Sequence, residues 1–109
     1  MLRDARAFDR VFQEGRFSLK GDLALHFISN GLAESRFAFV ISGKVGKAHQ
    51  RNAIRRRMRE IVRGLLPLIA AGNDIAFVAR KGAEGGYAEL RSDMQWLLAS
   101  RGLLSEECA

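Results

Sequence analysis

The chain has 109 residues, 48% of them apolar, a composition that fits one folded domain and excludes a disordered or low-complexity segment. A domain of this size buries enough surface to fold without a disulfide or metal staple. The single cysteine, Cys108, has no partner for an internal bridge, so the expectation is a tail thiol in a reducing cytosol with no redox role. The net charge is +6, and the stretch from Lys44 to Arg63 alone carries +7. That concentration produces a local field suited to a polyanion, which evenly mixed charge would not.

The chain begins with a stretch interrupted by Arg3, Asp4, Arg6, Asp9 and Arg10, so no apolar core of a signal peptide is expected there. Asp4 as an N-cap, then Ala5, Phe8, Val11 and Phe12 at helical spacing and a closing Gly15, predict a short first helix. From Phe17 the period changes to two. Leu23, Leu25 and Phe27 alternate with Asp22, Ala24, His26 and Ile28, which predicts a strand, and Asn30-Gly31 supplies a hairpin-type turn signal after it. Phe37, Phe39 and Ile41 alternate with Ala38, Val40 and Ser42. Both faces of that strand are largely apolar, so it is expected inside the sheet.

A basic helix follows from about Lys47 to Arg63. At ~100° per residue, Ile54, Met58, Ile61, Val62 and Leu65 form one stripe, with Asn52, Arg55, Arg56, Arg59 and Arg63 opposite. Pro67 and Gly72 mark its end, and Asn73-Asp74 opens an apolar strand, Ile75 to Ala79, that runs into Arg80-Lys81. Gly82 to Gly86 reads as a flexible loop. A last helix from about Tyr87 is expected to turn Tyr87, Leu90, Met94, Leu97 and Leu98 to the core and Trp96 away from it. The longest apolar run, Leu65 to Ala71, contains Pro67 and is far short of the ~20 residues of a spanning helix, so a soluble, cytoplasmic protein is expected.

The arginine helix carries the strongest functional signal. A basic face on an amphipathic helix is usually only solvated, but arginines at i, i+3 and i+4 repel one another by a few tenths of a kcal/mol per pair, which an external anion offsets. From residue 51 to 63 every basic residue is Arg, the better fork for phosphate. A membrane surface is disfavoured, because the apolar stripe lacks Trp and Phe and the sheet needs it as core. Ser42-Gly43-Lys44-Val45-Gly46-Lys47-Ala48 lies between strand and helix, as a nucleotide-hydrolase phosphate loop would. Ile41 and Ala48 stand where that motif requires a glycine and a hydroxyl. Gly46 and the amides of the helix start still suit a phosphate. His26, His49, Asp74 and Asp93 show no metal-ligand spacing, so no catalytic residue and no protein-bound cofactor are expected. Phe8, Phe12 and Phe17 fit either the core or, beside His26, a groove for stacking bases.

The segment Ser42-Gly43-Lys44-Val45-Gly46-Lys47-Ala48-His49-Gln50-Arg51-Asn52-Ala53-Ile54-Arg55-Arg56 closely resembles the signature of the bacterial ribonuclease P protein component. The resemblance extends over nearly the whole chain, through Phe8 to Gly15, Arg36 to Ser42 and Asp74 to Arg80, with Arg51-Asn52, Arg59 and Glu60 in the family's positions. It implies one RNA-binding domain over residues 1–109. The implied fold is α+β, a two-layer α/β sandwich of order α-β-β(-β)-α-β-α, with a left-handed βαβ crossover where the general rule favours the right-handed one. It also implies a protein subunit of ribonuclease P, in which the RNA subunit, with Mg2+, cuts the 5′ leader from precursor tRNA and the protein aids leader and metal binding. The implied partners are one ribonuclease P RNA and precursor tRNA. Lys44, Lys47, Arg51, Asn52, Arg55, Arg56, Arg59 and Arg63 would face the RNA, and Phe8, Phe12, Phe17, His26, Arg80 and Lys81 would line the leader cleft. The sequence departs from the family pattern at Ala53 (usually Arg), Gly43 (often Lys) and His26 (commonly Tyr or Phe). The alternative class is a general ribosomal or nucleic-acid-binding module with no role in RNA cleavage.

Overall fold

The computed structural model describes residues 5–80 and 86–104. Asp4, Lys81, most of the Gly82–Gly86 loop and Cys108 lie outside them. The elements run α1 (Ala5–Glu14), β1 (Arg16–Lys20), β2 (Leu23–Ser29), β3 (Arg36–Ile41), α2 (Ala48–Leu65), β4 (Asn73–Ala79) and α3 (Tyr87–Ser100). Four strands form one sheet in the order β1-β2-β4-β3. The first two pairs are antiparallel and β3-β4 is parallel, so β3, α2 and β4 make up the βαβ unit.

Strand alternation gives the sheet two different faces. One face carries Leu23, Leu25, Phe37, Phe39, Ile41, Ile75, Phe77 and Ala79 and packs on α2 and α3 as the main core. All five residues of the predicted α2 stripe are buried there, as are Leu90, Met94, Leu97 and Leu98 of α3. The other face carries the small residues Ala38 and Ala76, on which α1 settles through Val11, Ala7 and Phe8. Methyl side chains at these two positions let the short helix approach closely.

Three expectations are corrected. The Asn30-Gly31 turn does not close a hairpin between β2 and β3, because β4 lies between them. Asn30 instead caps a loop, accepting from Leu32 N–H at 2.7 Å and donating to Asp74 Oδ1 at 2.9 Å. The actual hairpin turns earlier, between β1 and β2, where Gly21 takes φ 59°. Strand β3 lies at the sheet edge, and both its faces are apolar because helices cover both, not because it has a neighbour on each side. Tyr87 is not core. It is 45% exposed at the first turn of α3.

Two local devices hold the frame. Asp74 is 1% exposed and receives both Arg36 Nε and Arg36 Nη2 at 2.8 Å, joining β3 to β4. Burial pushes its pKa up, but the hydrogen bonds from Arg36 and Asn30, with the charges of Arg36 and Arg10, hold it below the usual carboxylate value. Gly15 joins α1 to β1 where a Cβ would stand 2.4 Å from Val11 O and 2.6 Å from Phe27 O. Only glycine allows the chain to turn that close to β2.

Candidate nucleic-acid interface

Two surfaces gather the residues singled out by sequence. The first is the outer side of α2. The helix begins at Ala48, one residue after the expected start, with Lys47 as N-cap. The Lys47 N–H donates to Gln50 Oε1 at 2.8 Å, and a Cβ on Gly46 would sit 2.3 Å from that same oxygen, so the glycine leaves room for the cap. Asn52, Arg56, Arg59 and Arg63 are exposed, as are Lys44 and Lys47 in the loop before the helix, while Arg51 and Arg55 are half-buried. Arg51 reaches back to the carbonyl of Gly46 and so holds the loop that carries Lys44 and Lys47. Arg55 Nη1 donates to Asn52 Oδ1 at 2.6 Å, one turn apart. The two ion pairs found among the described residues, Arg10–Glu14 and Arg36–Asp74, involve none of the α2 arginines, so no ion pair among the described residues neutralises this face. Asn52, Arg55, Arg56 and Arg59 line one shallow depression, and Ala53, Arg56, Arg57, Glu60 and Tyr87 a second on the α3 side. Sequence reasoning left Tyr87 out of this surface. The signal for Tyr87 was its place in the first helical turn, where the core stripe has only begun.

The second surface is the part of the sheet that α1 leaves open. The cross-strand register places Ala38, Ala76, His26 and Phe17 in one row on that face. Where α1 ends, Phe12 stands one turn beyond Phe8 with ring centroids 5.0 Å apart, and its ring lies 4.7 Å from that of His26. Phe17 stacks on His26 at 5.7 Å and 25°. Four rings from three elements thus form a continuous row. Phe12 is 36% and Phe17 57% exposed, so the row faces solvent. Burial among these rings, and then the charge of Arg80, lower the His26 pKa from 6.5. Arg80 sits at the end of β4, its N–H bonded to Asp22 O at 2.9 Å.

The two surfaces meet at one end of the sheet. Because β3 and β4 are parallel, their C-terminal ends lie together, and Ser42 N–H donates to Ala79 O at 2.9 Å. This places the loop of Lys44 and Lys47 beside Arg80. Among the described residues no three His, Cys, Asp or Glu side chains are grouped to hold a metal ion, and no helix is long and apolar enough to cross a membrane. The arrangement offers phosphate contacts and stacking rings.

The model of the Ribonuclease P family matches residues 1–101. The chain belongs to the ribonuclease P protein component family. It is 39% identical over 105 residues to the ribonuclease P protein component of Roseiflexus castenholzii, spanning 94% of this chain and 86% of that protein. The protein component of Caldanaerobacter subterraneus is 31% identical over 107 residues, spanning 97% and 92%. Among solved structures, the RNase P protein of Thermotoga maritima in complex with 1-(4-fluorophenyl)-2-thiourea superposes with a TM-score of 0.84 at 33% identity, covering 90% of this chain and 96% of that one. The RNase P protein of Staphylococcus aureus, at 21% identity, shares the fold with a TM-score of 0.87. The α+β sandwich of this family is the fold of this chain.

Proposed function

We propose that the protein is the RNA-binding subunit of a ribonuclease P that removes 5′ leaders from precursor tRNA. In this reading Lys44, Lys47, Asn52, Arg55, Arg56, Arg59 and Arg63 hold the phosphates of the catalytic RNA in a one-to-one complex, with Arg51 shaping the loop. The ring row of Phe8, Phe12, His26 and Phe17 takes the bases of the single-stranded leader, and Arg80 with Lys81 meets its phosphates. The observation that supports it most is the outer face of α2, whose arginines pair with no carboxylate among the described residues. Repulsion along such a face is relieved by a polyanion, and guanidinium forks match phosphate oxygens.

Bond cleavage belongs to the RNA in this proposal. Mg2+ held there would stabilise charge and activate water at the scissile phosphate. The protein binds, aligns and screens. A cytoplasmic place of work follows from the partners, precursor tRNA and the catalytic RNA. Reconstitution with a bacterial ribonuclease P RNA in low magnesium tests the proposal. The protein should accelerate and tighten processing of leader-bearing tRNA, and failure to do either would overturn it.

A further inference from the structure

A further exposed aromatic ring stands near β1, the strand that carries Phe17. Strand β1 is an edge strand, and alternation turns Phe17 and Leu19 to the cleft side and Lys20 to the opposite side. There the Lys20 Nζ lies 5.0 Å from the centre of the Trp96 ring. Trp96 is 49% exposed on α3, outside the stripe by which that helix packs. Arg101 Nη2 donates to Phe17 O at 2.7 Å, so a guanidinium caps the free edge of β1. Neither Lys20 nor Arg101 pairs with a carboxylate among the described residues. From Phe17 to Lys20 the strand advances roughly 10 Å, so the two sides of this edge are separated by only three residues of β1.

A half-exposed tryptophan on its own is ordinary surface. Here it stands beside an unpaired lysine, around one strand from an open row of rings, with an arginine at the corner. Alternating rings and cations are what tracks a single-stranded nucleic acid, because every base has a face to stack and every link a phosphate to neutralise. We infer that Trp96, Lys20 and Arg101 form a second stacking station, which takes leader nucleotides further from the cleavage site after the strand has passed over the β1 edge. The inference rests on the proposed leader cleft and extends it to a surface on the other side of the sheet.

The test uses the reconstituted holoenzyme and two precursor tRNAs, with leaders of ~4 and ~16 nucleotides, the span of site sizes for surfaces of this kind. Trp96→Ala should weaken binding of the long-leader substrate by about fivefold or more and leave the short-leader substrate unchanged, with Trp96→Phe recovering most of the loss. Trp96 is also the only tryptophan in the chain, so the unmodified protein reports directly. Its emission should change when the long-leader substrate binds and stay constant with the short one. Equal losses for both leaders, as a protein-docking or folding role would give, overturn the inference, and so does unaltered emission. The two readings separate cleanly. If Phe12→Ala reduces leader binding while Trp96→Ala does not, only the second station fails; if the unmodified protein binds leader-bearing and mature tRNA alike, the cleft itself fails and the station with it.

Discussion

Replacing Phe12 by alanine isolates the contribution of the ring row. The Phe12 ring touches Phe8 and His26 at centroid distances of 5.0 and 4.7 Å and is 36% exposed. Full burial of a phenylalanine is worth about 3–5 kcal/mol on truncation, so a ring about two-thirds buried accounts for roughly 2–3 kcal/mol. A domain with ~5–15 kcal/mol of stability survives that loss. Its stacking on a leader base adds about 1–3 kcal/mol to binding, which corresponds to roughly 5- to 150-fold in Kd. The assay compares Kd of the holoenzyme for leader-bearing and mature tRNA, with thermal melting of the free protein as a control. The ratio of the two constants cancels any general weakening of the fold, because mature tRNA has no leader to lose. Phe12→Leu sharpens the comparison, since it keeps apolar volume while removing the π-face. Both variants should lose leader preference, and Leu should melt closer to the unmodified protein. An equal loss of affinity for both tRNAs would show that Phe12 serves packing alone.

Arg59→Ala should flatten the logarithmic salt dependence of RNA binding by almost one unit, near the ~0.7–0.9 expected per phosphate contact; filter binding from low to moderate salt reads it, and an unaltered slope places the contact elsewhere. Gly15→Ala forces a Cβ to within 2.4 Å of Val11 O and 2.6 Å of Phe27 O, so the backbone must shift at a cost of about 1–3 kcal/mol, seen as a lowered midpoint in denaturant. His26 binds its proton less readily folded than unfolded, because of burial and then Arg80. Above the unfolded value of 6.5 its contribution to stability is fully present, and it is lost as pH falls from there through the lower folded pKa. His26→Phe should remove that part of the acid sensitivity in melts taken between neutral and mildly acidic pH, and an identical profile would refute the assignment.

The helix that dominates the candidate site was legible because its signal is local. A period of 3.6 residues separates Ile54, Met58, Ile61, Val62 and Leu65 from the arginines without reference to any other part of the chain, and all five are buried. Strand order was not legible. β4 enters between β2 and β3 from more than 30 residues downstream, and nothing in Asn30-Gly31 distinguishes a hairpin from a loop whose asparagine reaches Asp74. β1 blurred into β2 because Arg16–Lys20 buries no residue fully, leaving only Phe17 and Leu19 as apolar signal. The row of rings needed the register as well. His26 and Phe17 come together as Cα partners across the hairpin, and Phe12 joins them only because α1 lies on the alanine row. Tyr87 was misplaced for a different reason: helical periodicity extrapolates the core stripe to a first turn that the rest of the fold does not cover.

The three departures from the family pattern fall into one structural class. Gly43 is exposed, and Ala53 and His26 are half-buried, so none of them belongs to the packed interior. The frame that sets one surface against the other is elsewhere: the Arg36–Asp74 pair, the parallel β3–β4 ladder and the Ser42–Ala79 bond. Changing a residue on either surface therefore alters that surface locally, under the proposed function one phosphate contact or one stacking partner, without moving the arginine helix relative to the ring row. At position 53 the alanine has neighbouring cations in Arg56 and Arg57, which line the same depression, and at position 26 an imidazole keeps a ring within reach of both Phe12 and Phe17. Imidazole also adds a titrating group, which a phenyl ring lacks. The interior thus fixes the distance between the two surfaces, while residues on each surface are free to vary without disturbing it.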